Sequence, residues 1–201
     1  MNGRSYRGMS AEERLAERRE RLISAAYDLY ADPGFPETTI ERLCAAARIS
    51  NRAFYECFSG RDELMQTVYD RCVRETLETM GKAIDQAPDT LASRVKTGVT
   101  SYISFVTGDR RRARIMHLEV RRAGDCLTTS RQSAVEALLK TIESNVADLP
   151  EATKANQRLL ALGMIGAVQE LLIEWVLADD PPPVGKLIET ATHIFHRSFV
   201  T

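Results

Sequence analysis

The stretch TTIERLCAAARISNRAFYECFSGRDEL, Thr38 to Leu64, decides the fold. Thr38 followed by Glu41 has the form of a capping box, in which a hydroxyl and a carboxylate three residues on satisfy the free N–H groups of a helix start. Ile40, Leu43, Cys44 and Ala47 then recur at i, i+3, i+4 and i+7, the buried stripe of a short helix. A turn at Arg48-Ile49-Ser50 follows, and Ser50 caps a second short helix over 51–58 that buries Phe54 and Phe58 at i, i+4. Ser59-Gly60 breaks the chain, and Arg61-Asp62-Glu63-Leu64 opens a longer helix. Two short helices joined by a tight turn describe a helix-turn-helix. With Phe54 and Phe58 inward, Asn51, Arg52, Tyr55 and Glu56 fall on the opposite face. Asn and Arg read base edges in a major groove, whereas Tyr and Ser typically hold phosphates. The hydroxyls of Thr38 and Thr39, with the free N–H groups beside them, fit a phosphate oxygen, and Arg61 is placed to reach another.

Outward toward the N-terminus, Ser10 and Glu13 form another capping box, and Leu15, Leu22, Ala26 and Leu29 mark one apolar face of a first helix. Asp32-Pro33-Gly34-Phe35-Pro36 ends that helix. Residues 1–10 read as a polar arm, in which Arg4 and Arg7 are candidates to contact DNA because no acid lies between or before them. Arg14, Arg18, Arg19 and Arg21 alternate with Glu12, Glu13, Glu17 and Glu20, a pattern open to two readings: a solvated helix with i, i+4 pairs, or part of a DNA-contacting arm. Outward toward the C-terminus the pattern gives helices over 61–86, 88–107, 109–122, 127–148, 151–179 and 184–199. Breaks fall at Pro88, Gly108-Asp109, Gly124-Asp125, Pro150 and Pro181-Pro182-Pro183. No segment alternates with period two over a useful length.

The Thr38–Leu64 run resembles the DNA-binding signature of the tetracycline-repressor-like (TetR) family, roughly T-T-x-x-x-I-A-x-x-A-G-V-S-x-x-x-L-Y-x-Y-F-x-x-K-x-x-L. Thr38-Thr39, Ala47, Ile49-Ser50, Phe54-Tyr55, Phe58, Arg61 and Leu64 stand at the matching places, and Ala25-Ala26, Leu29-Tyr30 and Gly34-Phe35 fit the family's first helix and its exit. The resemblance implies an all-α chain of two domains. An N-terminal three-helix helix-turn-helix DNA-binding domain would span 1–60, with its arm at 1–10, and a C-terminal helical ligand-binding and dimerisation domain 61–201. It also implies a cytoplasmic homodimer that represses transcription from a palindromic double-stranded DNA operator and answers to a small-molecule ligand. Thr39, Tyr55 and Arg61 would hold phosphates, joined by Thr38 and Ser50, while Asn51, Arg52 and Glu56 would face bases. Three departures from the pattern stand out. Arg48 occupies a usual glycine position, where a positive φ would cost on the order of 1 kcal/mol. Cys57 replaces a usual aromatic. Glu56 puts a carboxylate on the DNA face, where it either accepts a bond from cytosine N4 or repels phosphate and sharpens specificity.

The rest of the chain resembles the family only in length and layout. Between Leu159 and Val176 apolar residues nearly encircle one helix, so it is expected to be buried on most sides. Gly163, Gly166, Ala167 and Glu170 there, with Ile188, Ala191 and Phe195 on the last helix, are the candidates for a four-helix dimer interface. Candidates for the ligand pocket are Tyr102, Phe105, Met116, His117, Glu119, Val120, Gln169 and Trp175, a set whose aromatics and Met point to a mostly apolar molecule. The run Arg110-Arg111-Arg112-Ala113-Arg114 reads either as a solvated helix start or as a site for an anion such as an acyl-CoA.

Composition limits the alternatives. Lys+Arg number 27 against 28 Asp+Glu in 201 residues, so any DNA-binding surface must be local. The three histidines, His117, His193 and His196, have no accompanying Ser/His/Asp order, metal motif or phosphate loop, so no catalytic residue, metal or cofactor is expected. The four cysteines lack metal spacing and read as reduced, small apolar residues, a redox switch being the other reading. Residues 1–20 lack an apolar h-region, and Gln169, Glu170 and Glu174 interrupt the apolar stretch 159–177. No signal peptide and no membrane partner are expected. The remaining alternative is a helical adaptor or interaction protein whose DNA-binding head is vestigial.

Overall fold

The structure, a computed structural model, describes residues 10–146 and 157–199, which contain helices and no strand. The arm with Arg4 and Arg7, the break at Pro150, and the side chains of His196 and Phe199 lie outside what is described. The chain divides into two compact units between Val68 and Tyr69. The reason is that the long helix after Gly60 buries Leu64, Met65 and Val68 in its first two turns, and these cluster with the head.

In the first unit, α1 (Ala11–Leu29) starts at the expected capping box. Ser10 Oγ accepts the Glu13 N–H, and the Ser10 N–H donates to Glu13 Oε2 at 2.6 Å. Its buried face is Leu22, Ile23, Ala25 and Ala26; Leu15, expected there, is exposed. The chain turns away at Asp32-Pro33-Gly34, where Gly34 has φ 117°, a conformation glycine adopts without a Cβ clash. In α2 (Ile40–Ala47), Leu43, Cys44 and Ala47 are buried. Thr39, not Thr38, is its cap, its side chain accepting the Arg42 N–H at 3.3 Å. Thr38 stands one residue too early, fully buried, with its hydroxyl 2.7 Å from the Gly34 carbonyl and 3.0 Å from that of Leu29. It locks the loop to the end of α1.

Arg48 ends α2 with φ 54° and ψ 51°, the left-handed conformation expected of the glycine position it fills. The Ile49 N–H returns to the Cys44 carbonyl at 3.0 Å and the Arg48 N–H to that of Ala45 at 3.2 Å, closing the helix end. Ser50 then caps α3 (Asn51–Cys57), accepting the Ala53 N–H at 3.2 Å, and Phe54, Cys57 and Phe58 are buried.

The second unit takes the remainder of α4 (Arg61–Asp85) and then α5 (Leu91–Thr107), which starts at Thr90 as cap rather than at Pro88. The chain continues as α6 (Arg110–Arg114), which runs through a π-helical turn at Ile115–Glu119 into α7 (Val120–Arg122). After a short 3-10 turn come α8 (Thr128–Val146), α9 (Gln157–Leu177) and α10 (Val184–Phe199). α5 packs on α10, and α9 on α6, α8 and α10.

The arginine run at 110–114 opens α6 with Arg110 and Arg111 exposed, in keeping with a solvated helix start, and each arginine also makes a tie. Arg110 donates to the Val176 and Ala178 carbonyls at 3.0 and 2.8 Å. Arg111 pairs with Asp109 at 2.8 Å, and Arg112 donates to the Phe105 carbonyl and lies 3.8 Å over the Phe105 ring. Arg114 and Arg122 share the fully buried carboxylate of Glu119 at 3.1 and 3.2 Å.

Replacing Thr38 by Val keeps its shape and removes the hydroxyl, leaving buried carbonyls unpaired. Thr38→Val is expected to lower the stability of the head by about 1–3 kcal/mol in equilibrium urea unfolding. An unchanged midpoint would mean that the hydroxyl does not anchor the loop.

Candidate nucleic-acid interface and effector cavity

The helix-turn-helix presents one exposed face. Asn51, Arg52, Tyr55 and Glu56 all lie on it, opposite the buried Phe54 and Phe58. Tyr55 is 60% exposed although it is a large aromatic, and it contacts the buried Phe54 ring edge-on at 5.4 Å. Its backbone is therefore fixed while its phenol reaches outward. The side chain of Arg52 is 91% exposed and touches Glu56 only at 3.5 Å. An exposed i, i+4 pair of this kind contributes little, so Arg52 is free to enter a groove. Glu56 is held more firmly by Arg18, at 2.6 Å. Ser50 and Thr39 are exposed; the Ser50 oxygen accepts a backbone N–H, which leaves its hydroxyl proton available to a phosphate, whereas the Thr39 hydroxyl also bonds the Glu41 carboxylate.

Two expected phosphate contacts are placed elsewhere. Thr38 is buried under its own loop, as described above. Arg61 turns inward, its guanidinium donating to the Phe35 and Thr38 carbonyls and lying 4.9 Å over the Phe35 ring.

Three arginines of α1 do work that neither sequence reading assigned to them. Arg18 fixes Glu56. Arg19 donates to the Cys57 carbonyl and lies 4.1 Å over the Phe58 ring. Arg21 donates to the carbonyls of Ala47 and Arg48. The signal was present in the spacing: each stands four residues before a buried position, Leu22, Ile23 or Ala25, and so extends the buried face by one turn.

The second unit contains a cavity. Ile84, Val99, Ile103, Ile142, Ile165 and Phe195, from five helices, are among the apolar side chains that line it, and it encloses about 740 Å³ of unfilled space counting its open mouth. A Cβ at Gly98 would lie 3.2 Å from Ile84 Cδ1, so glycine there lets α5 approach α4 closely. Among the described residues the one charged side chain in the lining, Arg94, pairs with Asp89 at 2.6 Å and donates to the Asn145 carbonyl at 3.0 Å. A smaller chamber, bordered by Thr76, Met116 and His117, shares Tyr102, Leu138 and Gln169 with the first.

Of the expected ligand contacts, Tyr102, Met116, His117 and Gln169 line these chambers. Four do not. Phe105 lies under Arg112, Glu119 is consumed by two arginines, Val120 is core, and the Trp175 indole donates to the Pro182 carbonyl at 3.1 Å. Most of the lining was missed, because an apolar residue that faces a void looks the same in sequence as one that faces a neighbour.

The expected dimer residues also divide. Gly163 and Glu170 are exposed and Gly166, Ala167 and Ile188 half-buried, with Glu170 paired to Arg121 at 2.9 Å. Ala191 and Phe195 point inward, and Phe195 is part of the cavity wall, so neither is available to a second subunit. Leu159, 66% exposed, and Leu162 are outward apolar residues on α9. Cys44, Cys57 and Cys72 are buried thiols, and burial pushes the pKa of Cys72 up to about 12; Cys126 is exposed. Among the described residues no three His, Cys, Asp or Glu side chains group as a metal site.

Residues 22–68 match the family described as "Bacterial regulatory proteins, tetR family". The transcriptional activator FasR of Mycolicibacterium smegmatis is 23% identical over 180 residues, covering 86% of this chain and 78% of that protein. Two solved structures share the fold. The fatty acid degradation regulator FadR from Bacillus halodurans superposes with a TM-score of 0.79 at 15% identity, covering 89% of this chain and 94% of that one. FadR from Bacillus subtilis, in complex with stearoyl-CoA, gives 0.77 at 16% identity, covering 88% and 96%.

On this geometry, Arg52→Ala is expected to weaken the preferred duplex by about 1–3 kcal/mol and to relax base preference at one position. Tyr55→Ala is expected to weaken all duplexes alike. Selection from a random duplex library with each variant checks both, and an unchanged base preference for Arg52→Ala would remove that residue from the reading surface.

Proposed function

Since the chain belongs to the tetR family of bacterial regulatory proteins, and is thus a DNA-binding transcriptional regulator and not an enzyme, we propose that it is a ligand-responsive repressor. In this reading a cytoplasmic homodimer sits on a palindromic operator and leaves it when a small molecule fills the cavity of the second unit. The observation that carries the reading is the outward face of α3, where Asn51, Arg52 and the exposed Tyr55 stand on a helix fixed at both ends. Thr39 and Ser50 flank them as phosphate contacts. A vestigial head on a helical adaptor would have no use for that exposed aromatic.

A recognition helix this short reads only a few base pairs, so affinity and specificity call for two copies one DNA turn, about 34 Å, apart. The outward side of α9, with Leu159, Leu162, Gly163 and Gly166, supports the dimer, joined by Ala167, Glu170 and Ile188. Repression by occlusion needs no surface beyond these parts, although FasR is an activator, and in vitro transcription decides the sign for this chain. The apolar lining supports an effector with an apolar body, as the stearoyl-CoA held by the B. subtilis neighbour has. Coupling runs along α4, which begins at Arg61 in the head and carries Met80 and Ile84 of the cavity wall. A differential affinity of about 1–3 kcal/mol between the two states suffices.

The dimer is open to a clean test, because a Cβ at Gly163 or Gly166 meets nothing within 4 Å in the protomer. Gly163→Arg is therefore expected to leave the protomer folded. Sedimentation should show the wild type as a dimer and the variant as a monomer that binds the selected palindrome at least about tenfold more weakly. A variant that stays dimeric with full operator affinity would place the interface elsewhere, and a wild type that selects no palindrome at any salt concentration would overturn the regulator reading.

A further inference from the structure

Cavity polarity says more about the effector than cavity size does. His117 is 4% exposed, lines the smaller chamber, and has its Nε2 buried without a hydrogen-bond partner. A buried orphan of this kind is costly unless something in the chamber satisfies it. Beside it stand the Tyr102 phenol, edge-on with ring centroids 6.3 Å apart, and the Gln169 side chain. Tyr102 and Gln169 also border the larger apolar chamber, so the two chambers adjoin at these residues.

Charge narrows the class. Among the described residues no carboxylate lines either chamber, so an ammonium group would have no counterion there. Among the described residues no cationic side chain lines the smaller one, so an anionic group there would be buried unpaired. Burial, reinforced by Arg121, pushes the His117 pKa down to about 3, which keeps the ring neutral and removes it as a cation. A neutral imidazole offers a donor or an acceptor at Nε2 according to its tautomer. A hydroxyl matches either, because it donates and accepts, and the same holds for its encounters with a phenol and an amide.

We propose that the effector is an apolar molecule bearing an uncharged hydroxyl, with the hydroxyl held by His117 Nε2, Tyr102 and Gln169 in the smaller chamber and the apolar body in the larger one. The proposal rests on the cavity being the effector site. It makes His117 the residue that sets specificity, since a site built to bond a hydroxyl rejects the analogue that lacks it.

The test is calorimetric titration of the full-length protein with four probes of similar length: 1-octanol, heptyl methyl ether, octanoate and octylammonium. 1-Octanol is expected to bind roughly three- to tenfold more tightly than the ether, and more tightly than either ion. His117→Phe should bring 1-octanol down to the affinity of the ether without weakening the ether. Tyr102→Phe, which removes one oxygen and leaves the ring, should act in the same direction if His117→Phe does not fold. Equal binding of the alcohol and the ether by the wild type, or preference for either ion, overturns the hydroxyl while leaving the cavity as effector site. Failure of every probe to bind overturns the cavity reading as well, and the DNA-binding reading stands apart from both.

Discussion

The burial of Phe54 and Phe58 is the constraint on which the head depends, because the helix that carries the proposed reading face cannot hold itself. α3 has seven residues, and isolated helices shorter than about 12–15 residues are marginal in water. Burying a phenylalanine contributes roughly 1.5–3 kcal/mol, so the two rings supply what the backbone lacks. The turn before α3 must therefore aim both rings inward at once, and that requirement forces Arg48 into the left-handed conformation. The cost of a non-glycine residue there is about 1–2 kcal/mol, less than the two rings return.

A second device recurs in both units. The last carbonyls of a helix have no partner within it and carry partial negative charge. Neither α2 nor α3 has a basic residue in its own last turn, and neither does α9. Each receives an arginine from elsewhere. Arg21 reaches the end of α2, Arg19 the end of α3, and Arg110 the end of α9. Arginines that look like solvent or DNA contacts in a linear pattern thus close helices at a distance. The same logic turns Arg61 from a phosphate contact into a tie on the Phe35–Thr38 loop.

What could be read from the sequence follows from what is local. The caps at Ser10 and Ser50, the turn at Arg48 and the inward Phe54 and Phe58 depend on neighbours within a turn of helix, and they stand where the pattern put them. The cap of α2 slipped from Thr38 to Thr39 because two adjacent threonines offer the same chemistry, and only the path of the loop decides which one is buried. The cavity was harder. Gln169 and His117 were legible as polar residues among apolar ones, but Ile84, Val99 and Ile142 carry no mark that separates a cavity wall from a core. Phe195 was assigned to an interface and faces inward, since a helix stripe shows which residues share a side and not what that side meets.

Helix α9 shows how charge settles what length leaves open. By length and composition it is apolar enough to cross a membrane. One side, with Ala161, Met164, Ile165, Val168 and Leu172, packs within its own unit. The other side is divided along its length: Leu159, Leu162 and Gly163 come first, then Glu170 and Glu174. Two carboxylates at that depth would cost several kcal/mol in lipid, on the scale of about 2.5–3.5 each for an aspartate at a span's centre. At the rim of a protein contact they cost little, and Glu170 already has Arg121 beside it. An exposed apolar half next to small residues, bounded by acids of which Glu170 is paired, therefore suits the second helix of the proposed dimer better than a bilayer, and the glycines at 163 and 166 would give that dimer room for close approach.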